Sequence, residues 1–315
     1  MFNNLPHNEP RLMDSTAVTT FMVCPRKYFY RMILGYDNPV RQPYFAFGSA
    51  YHLFRHVIEV EYLKEPDITK LGNHVIKGIE AASAYCDKNL IHTDTNPKYK
   101  WGWMTKDRLI KSCIAGANWW KAEKQKGAIK VLAMEQPFQI ELSNGRIIAG
   151  RADQVVNFNG KVWGRDFKTS SSQGNYYINS LNPNHQFSLY TYAENKLAGW
   201  DDNDINDRLK VEGQLIEVLY NNKTQGPKIE VYLAQRTRNE LLTWLKEEQY
   251  WHSMIEGCKE SDTWPMNPKS CTFCEYRKVC ELSNETQQMT YLKNNYKFKP
   301  WDCTATDIND AEGGV

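Results

Sequence analysis

The run Gly150-Arg-Ala-Asp-Gln-Val-Val-Asn-Phe-Asn-Gly-Lys-Val-Trp-Gly-Arg-Asp-Phe-Lys-Thr169 constrains this chain more than any other stretch. At its centre, Asn159-Gly160 is the favoured pair for a type I′ hairpin turn, in which both central residues take positive φ. The flanking runs read as antiparallel strands, the second over Lys161–Thr169. Side chains alternate faces along a strand, so Asp166 and Lys168 point the same way. Pairing across the hairpin brings Asp153 close to Asp166. Two carboxylates with an ammonium beside them can hold Mg²⁺ or Mn²⁺ through hard oxygen ligands and set a cation near a phosphate. Taken alone, the stretch could also be a surface hairpin with ordinary charges.

Neighbouring segments extend the sheet. Ile129–Leu142 reads as a strand broken by Pro137, Ser143-Asn-Gly-Arg146 as a second Asn-Gly turn, and Arg146–Phe158 as the next strand, giving a three-stranded meander. Glu135, on the first strand, reads as a solvated charge rather than a further acidic ligand. Val211–Tyr220 and Lys228–Ala234 are further strands. Helices are expected from Thr16 behind an Asp14-Ser15 cap, then over Phe45–Leu63, Ile68–Lys88, Thr105–Lys126, His185–Leu197 and Thr237–Gly257. Asn89–Gly102 and Ser170–Asn184 read as polar loops, the second directly after the Asp-x-Lys strand. On Phe45–Leu63, His52 and His56 share a face, as do Gln186 and Tyr190 on His185–Leu197. His52 is either structural or a metal ligand.

A second signal lies near the C-terminus. Cys271-Thr-Phe-Cys274-Glu-Tyr-Arg-Lys-Val-Cys280 sets three thiols within ten residues, with a metal-clasp Cys-x-x-Cys pair. Zinc takes four ligands, and an iron–sulfur cluster usually takes four cysteines. Spacing leaves the metal open, and leaves Cys24, Cys258 and Cys303 as candidates for the fourth ligand. Cys24 precedes Pro25 and the basic-aromatic run Arg26-Lys27-Tyr28-Phe29-Tyr30-Arg31. Such a run suits single-stranded nucleic acid, or simply an amphipathic helix. Cys86 and Cys113 read as core residues.

Composition sets the outer limits. Hydrophobic residues make up 41% of the 315, with 10 Trp, which is enough for a real core. Net charge is +2, so any nucleic-acid site must be local. No apolar run reaches membrane length, and the polar start of the chain does not resemble a signal peptide. The expected location is cytoplasmic, where eight cysteines are better explained by metal, redox chemistry or burial than by disulfides. No Walker-type phosphate loop is visible.

Together these residues resemble the RecB-type, iron–sulfur-containing branch of the PD-(D/E)xK nucleases, which includes CRISPR-associated exonucleases and AddB-type helicase-nucleases. The matching motifs run in order: Cys24-Pro25-Arg26-Lys27-Tyr28-Phe29, Gly48-Ser-Ala-Tyr-His52, Gly150-Arg-Ala-Asp153, Asp166-Phe-Lys168-Thr169, Gln186-Phe-Ser-Leu-Tyr190, and the trio Cys271, Cys274 and Cys280. The resemblance covers about residues 15 to 281. It implies an α/β, restriction-endonuclease-like core: a central mixed sheet flanked by helices, with a helical insert and an Fe–S-clasped C-terminal segment. The implied layout is a tail (1–14), N-terminal helices (15–64), helical insert (65–128), nuclease core (129–258), cluster segment (259–284) and C-terminal tail (285–315). His52, Asp153, Asp166 and the Phe167 carbonyl would ligate Mg²⁺ or Mn²⁺. Lys168 would orient or activate water, and Gln186 and Tyr190 would position the strand or support the metal site. Cys24, Cys271, Cys274 and Cys280 would hold a 4Fe–4S cluster. The implied substrate is DNA, single-stranded or with a free end. A recombination or replication protein is the implied partner.

Overall fold

A computed structural model describes residues 12–39, 43–89, 103–172 and 174–303. The chain begins with a two-residue strand, β1 (Leu12–Met13), and helix α1 (Ser15–Val23), capped by the Asp14 carboxylate accepting the Ala17 amide. Pro25 starts a new turn, α2 (Pro25–Tyr28), which widens into a π-helical turn over Phe29–Ile33. Strand β2 (Tyr36–Asp37) and the helices α3 (Pro43–Lys64), α4 (Leu71–Lys88) and α5 (Lys106–Lys126) follow. Then come β3 (Ile129–Glu141), β4 (Ile147–Phe158), β5 (Lys161–Ser170), α6 (Asn175–Asn179) and α7 (His185–Leu197). The chain continues through β6 (Gly213–Tyr220), β7 (Lys228–Gln235) and α8 (Arg238–Glu260), and closes with α9 (Arg277–Cys280), α10 (Glu285–Asn295) and β8 (Lys297–Phe298).

Strands β3, β4 and β5 form the expected antiparallel meander. β5 then runs parallel to β6, and β6 pairs antiparallel with β7, so the five long strands make a mixed sheet. β1 adds to β4 in parallel, and β2 and β8 make a separate ribbon. Helices cover both faces. On one side α3, α4 and α5 enclose Phe47, Phe54, Leu109 and Trp120, with Leu219 of β6 joining them. On the other, Leu189, Tyr192, Leu241 and Trp244 of α7 and α8 pack on Phe138 and Ile148. Cys86 and Cys113 are buried in the first core, as expected.

The central turn is of the expected type, with Asn159 at φ 52° and Gly160 at φ 79°. The second Asn-Gly turn differs. There the Leu142 amide donates to the Arg146 carbonyl and Gly145 alone of the loop residues takes positive φ, a three-residue loop with glycine at the left-handed position.

Three expectations are corrected. Pro137 does not break β3, which runs through it opposite Arg151. Counting from the hydrogen-bonded Leu142–Arg146 pair, Pro137 and Arg151 form a non-hydrogen-bonded pair on the edge of the sheet, so the missing N–H removes no ladder bond. The loop after β5 contains α6. The segment from 285 is not a tail up to 298, because α10 and β8 fold back there and the Lys299 amide donates to the Gly35 carbonyl. Of the two readings of residues 26–31, the structure bears out the amphipathic helix and not a basic-aromatic surface of Tyr28, Phe29 and Tyr30. All three are buried; Tyr28 and Phe29 stack on Trp264, with centroids 5.9 and 5.2 Å away, and Tyr30 lies 5.7 Å from Tyr276. Burial of large rings outweighs any gain from displaying them. The expectations for residues 1–11, 90–102 and 304–315 fall outside the described residues.

Candidate active site

The β4–β5 ladder ends at the pair Gln154–Arg165. One residue further on, the Asp153 carboxylate accepts the Phe167 amide at 3.0 Å, where β5 continues along β6. The hairpin register therefore sets Asp153 beside Asp166, as the sequence predicts. Asp166 is only 2% exposed. The Lys168 ammonium lies 2.9 Å from its Oδ1 and 2.8 Å from its Oδ2, yet Oδ2 accepts no well-aligned hydrogen bond. Burial pushes the Asp166 carboxyl above the ordinary carboxylate range. Lys168 partly offsets this and the Asp153 charge adds to it.

His52 comes to the site from α3. Gly48, one turn earlier, packs so closely on β5 that a Cβ there would lie 3.2 Å from Thr169 Oγ1. That approach brings His52 Nδ1 to 3.5 Å from Asp153 Oδ2. Glycine is needed at 150 for a similar reason: a Cβ would meet the ring of its cross-strand partner Phe138 at 2.6 Å. Gln186 and Tyr190, on α7, face the same cleft. Burial, followed by the charges of Asp166 and Asp153, raises the Tyr190 phenol far above its ordinary value, so it remains a donor. His52, Asp153, Lys168, Gln186, Tyr190 and Arg151 line one cleft of about 570 Å³, and the buried Asp166 reaches it through Lys168.

Glu135 lines the same cleft and is not a solvated strand charge. It lies opposite Asp153, between the pairs Met134–Gln154 and Gln136–Ala152, and holds a left-handed φ of 47°. Its Oε1 is 3.4 Å from His56 Nδ1, one turn along α3 from His52. Counting back from the Leu142–Arg146 turn would have found this register.

A buried charge network underlies the cleft, and no local motif announces it. Glu217 of β6 takes Arg165 of β5 at 2.6 Å and Arg55 of α3 at 3.1 Å, while Arg165 also pairs with Glu123 of α5. Both guanidiniums lie over the Phe167 ring, 4.7 and 5.2 Å from its centroid. The helix carrying His52 is thus tied to the strand carrying Asp166 and Lys168.

Away from the cleft, Cys24, Cys271, Cys274 and Cys280 line a pocket of about 220 Å³ where the end of α1 meets the C-terminal segment. The Asn267 amide donates to Cys24 Sγ at 3.4 Å. Cys258 packs in the adjoining hydrophobic core and Cys303 lines the carboxylate cleft, so of the three candidates for a fourth ligand only Cys24 lines this pocket.

Among the described residues no three His, Cys, Asp or Glu side chains converge as a single bound ion would require. In the cleft, the carboxylates are engaged by Lys168 and the Phe167 amide. The donor set still suits a hard divalent cation: two carboxylates and an imidazole, with one buried Asp166 oxygen lacking a well-aligned hydrogen bond.

The class of protein to which this mixed sheet and its Asp153, Asp166 and Lys168 belong comes from the sequence comparison. The profile of the PD-(D/E)XK nuclease superfamily matches residues 15–281, and the chain belongs to this superfamily. Among curated proteins none matches. A solved structure from Eubacterium rectale, named "Putative exonuclease", shares the fold at a TM-score of 0.51 and 10% identity, over 97% of this chain and 94% of that one. A second structure, SSO0001, aligns over 73% of this chain and 96% of that one at 13% identity, but its TM-score of 0.28 carries no argument. Among the described residues no helix is long and apolar enough to cross a membrane.

Proposed function

We propose that this protein is a Mg²⁺- or Mn²⁺-dependent deoxyribonuclease, acting as an exonuclease and leaving 5′-phosphate and 3′-hydroxyl ends in DNA recombination, repair or processing. The observation that carries this reading is the meeting of His52, Asp153 and Lys168 in one cleft, with the buried Asp166 carboxylate paired to Lys168. His52, Asp153, Asp166 and the Phe167 carbonyl would hold the divalent ion. When bound, such an ion lowers the pKa of its water and polarises a phosphoryl oxygen. The Lys168 ammonium, 29% exposed at the cleft, would orient the attacking water and offset charge growing on the phosphate. The Tyr190 hydroxyl, held protonated, and the Gln186 amide would position the strand by hydrogen bonds.

The four clustered cysteines would hold a 4Fe–4S cluster that ties α1 to the C-terminal segment as a structural clasp. What supports the grouping is that all four cysteines line one pocket; the choice between a cluster and zinc is left to the metal content. Anaerobically purified protein should be brown, absorb near ~400 nm and contain iron. A colourless protein with stoichiometric zinc would overturn the cluster assignment.

Digestion of end-labelled single- and double-stranded DNA tests the nuclease reading. Mg²⁺ or Mn²⁺ should support cleavage and EDTA should stop it, with release of single nucleotides marking an exonuclease and internal cuts an endonuclease. Full activity in Asp166→Ala or Lys168→Ala would refute the residue roles. No cleavage under any metal would leave a non-catalytic DNA-binding or assembly protein on the same fold.

A further inference from the structure

In the wall of the cleft stand two aromatic rings, Tyr44 half-buried against the core and Phe45 exposed. Phe45, in the first turn of α3, is 58% exposed, although large apolar side chains are ordinarily covered. Its ring lies 4.3 Å from that of Tyr44, tilted by 43°, and both residues line the cleft that holds His52 and Lys168. Tyr44 and Thr169 also line a second pocket of about 230 Å³, which continues to Ser170, Ser171 and Asn221. The two spaces share a wall, so a strand lying over Lys168 has a path past Thr169 with aromatic rings on one side and hydroxyl and amide groups on the other.

We propose that Phe45 and Tyr44 form a base-stacking clamp that selects unpaired DNA, the strand's phosphate lying at Lys168 and a neighbouring base on the Phe45 ring. This rests on the nuclease reading above and deepens it by naming the substrate class as single-stranded DNA. Every base has a π face, so stacking on an aromatic ring is tolerant of sequence but requires a base freed from its partner. A paired duplex keeps its bases within the stack and gains nothing from the clamp. With a net charge of only +2, the chain has no global basic field to hold DNA, which leaves local contacts such as this one to supply affinity. Phe45 is exposed, so its replacement leaves the packed core intact.

The test measures binding of a fluorescein-labelled 15-residue oligo(dT) and of a blunt duplex by anisotropy, with EDTA present so that binding is read without cleavage. Wild type should bind the single strand more tightly than the duplex. Phe45→Ala should weaken single-strand binding by roughly 5- to 100-fold, the scale of one base–aromatic stack, and leave duplex binding unchanged. Phe45→Trp should retain affinity, whereas Phe45→Leu, apolar but not planar, should lose it as alanine does. Undiminished binding in Phe45→Ala, or retention in Phe45→Leu, overturns the clamp. Cleavage of the same oligonucleotide by wild type with Mg²⁺ or Mn²⁺ separates the two failures. Cleavage with undiminished Phe45→Ala binding sinks the clamp alone, and absence of wild-type cleavage sinks the nuclease reading.

Discussion

The Asp153 carboxylate on β4 accepts the Phe167 amide of β5 at 3.0 Å and so bridges the point where the two strands part. It therefore has a structural part beside its charge. Asp153→Asn keeps an acceptor there, so its stability should stay within about 0.5 kcal/mol of wild type. Asp153→Ala leaves the amide of a buried residue without that partner and should lose about 1–3 kcal/mol. Both should cut DNA at least ~100-fold more slowly. Urea unfolding beside a cleavage assay checks this, and equal stability of the two variants would show that the bridge contributes nothing.

Asp166 is buried, and its charged form is disfavoured in the folded state despite Lys168. Asp166→Asn removes that desolvation while roughly keeping shape. It should abolish cleavage and match or exceed the wild-type melting temperature at neutral pH. A clear drop in melting temperature would mean that the Lys168 pair contributes more than burial costs.

Glu217 is fully buried between Arg55 and Arg165. Glu217→Gln leaves two guanidiniums under-compensated, and removing one partner of such a set costs about 3–5 kcal/mol. The denaturation midpoint in urea should fall accordingly. A midpoint within error of wild type would exclude the network as the tie between α3 and β5.

Glu194, on α7, accepts the Gln214 amide at 2.7 Å, and burial raises its pKa from 4.5 to about 8. Its folded value lies above its unfolded one, so its contribution is fully present below pH 4.5 and is lost as pH rises to about 8. Glu194→Gln should therefore be more stable than wild type at pH 8, by up to a few kcal/mol at about 1.4 per pKa unit, with the difference shrinking toward pH 4.5. Melting curves across that range measure it, and a difference independent of pH would contradict the raised value.

Much of the site was legible because its grammar is local. Asn159-Gly160 dictates a turn from backbone sterics, and the two-residue period of a strand sets Asp166 and Lys168 on one face. The hairpin register brings Asp153 alongside, and helical spacing puts His52 and His56 together, each beside a carboxylate in the structure. Glu135 does not read as part of the site because its place opposite Asp153 follows from the length of the Leu142–Arg146 loop and not from its own neighbours, and its left-handed backbone exists only once β3 and β4 are paired. The choice between display and burial of Tyr28, Phe29 and Tyr30 is open in the sequence because Trp264 and Tyr276, more than two hundred residues away, are invisible to a local pattern.

By itself, the sequence determined the strands, the turn and the identity of the charged groups, since each depends on neighbours a few residues away. Only the tertiary structure decided the parallel step from β5 to β6, the Arg55–Glu217–Arg165 tie and the burial of Tyr28 and Phe29 against Trp264. Those depend on closing long loops and burying charge in company, and their free energy exists only when distant segments pack together.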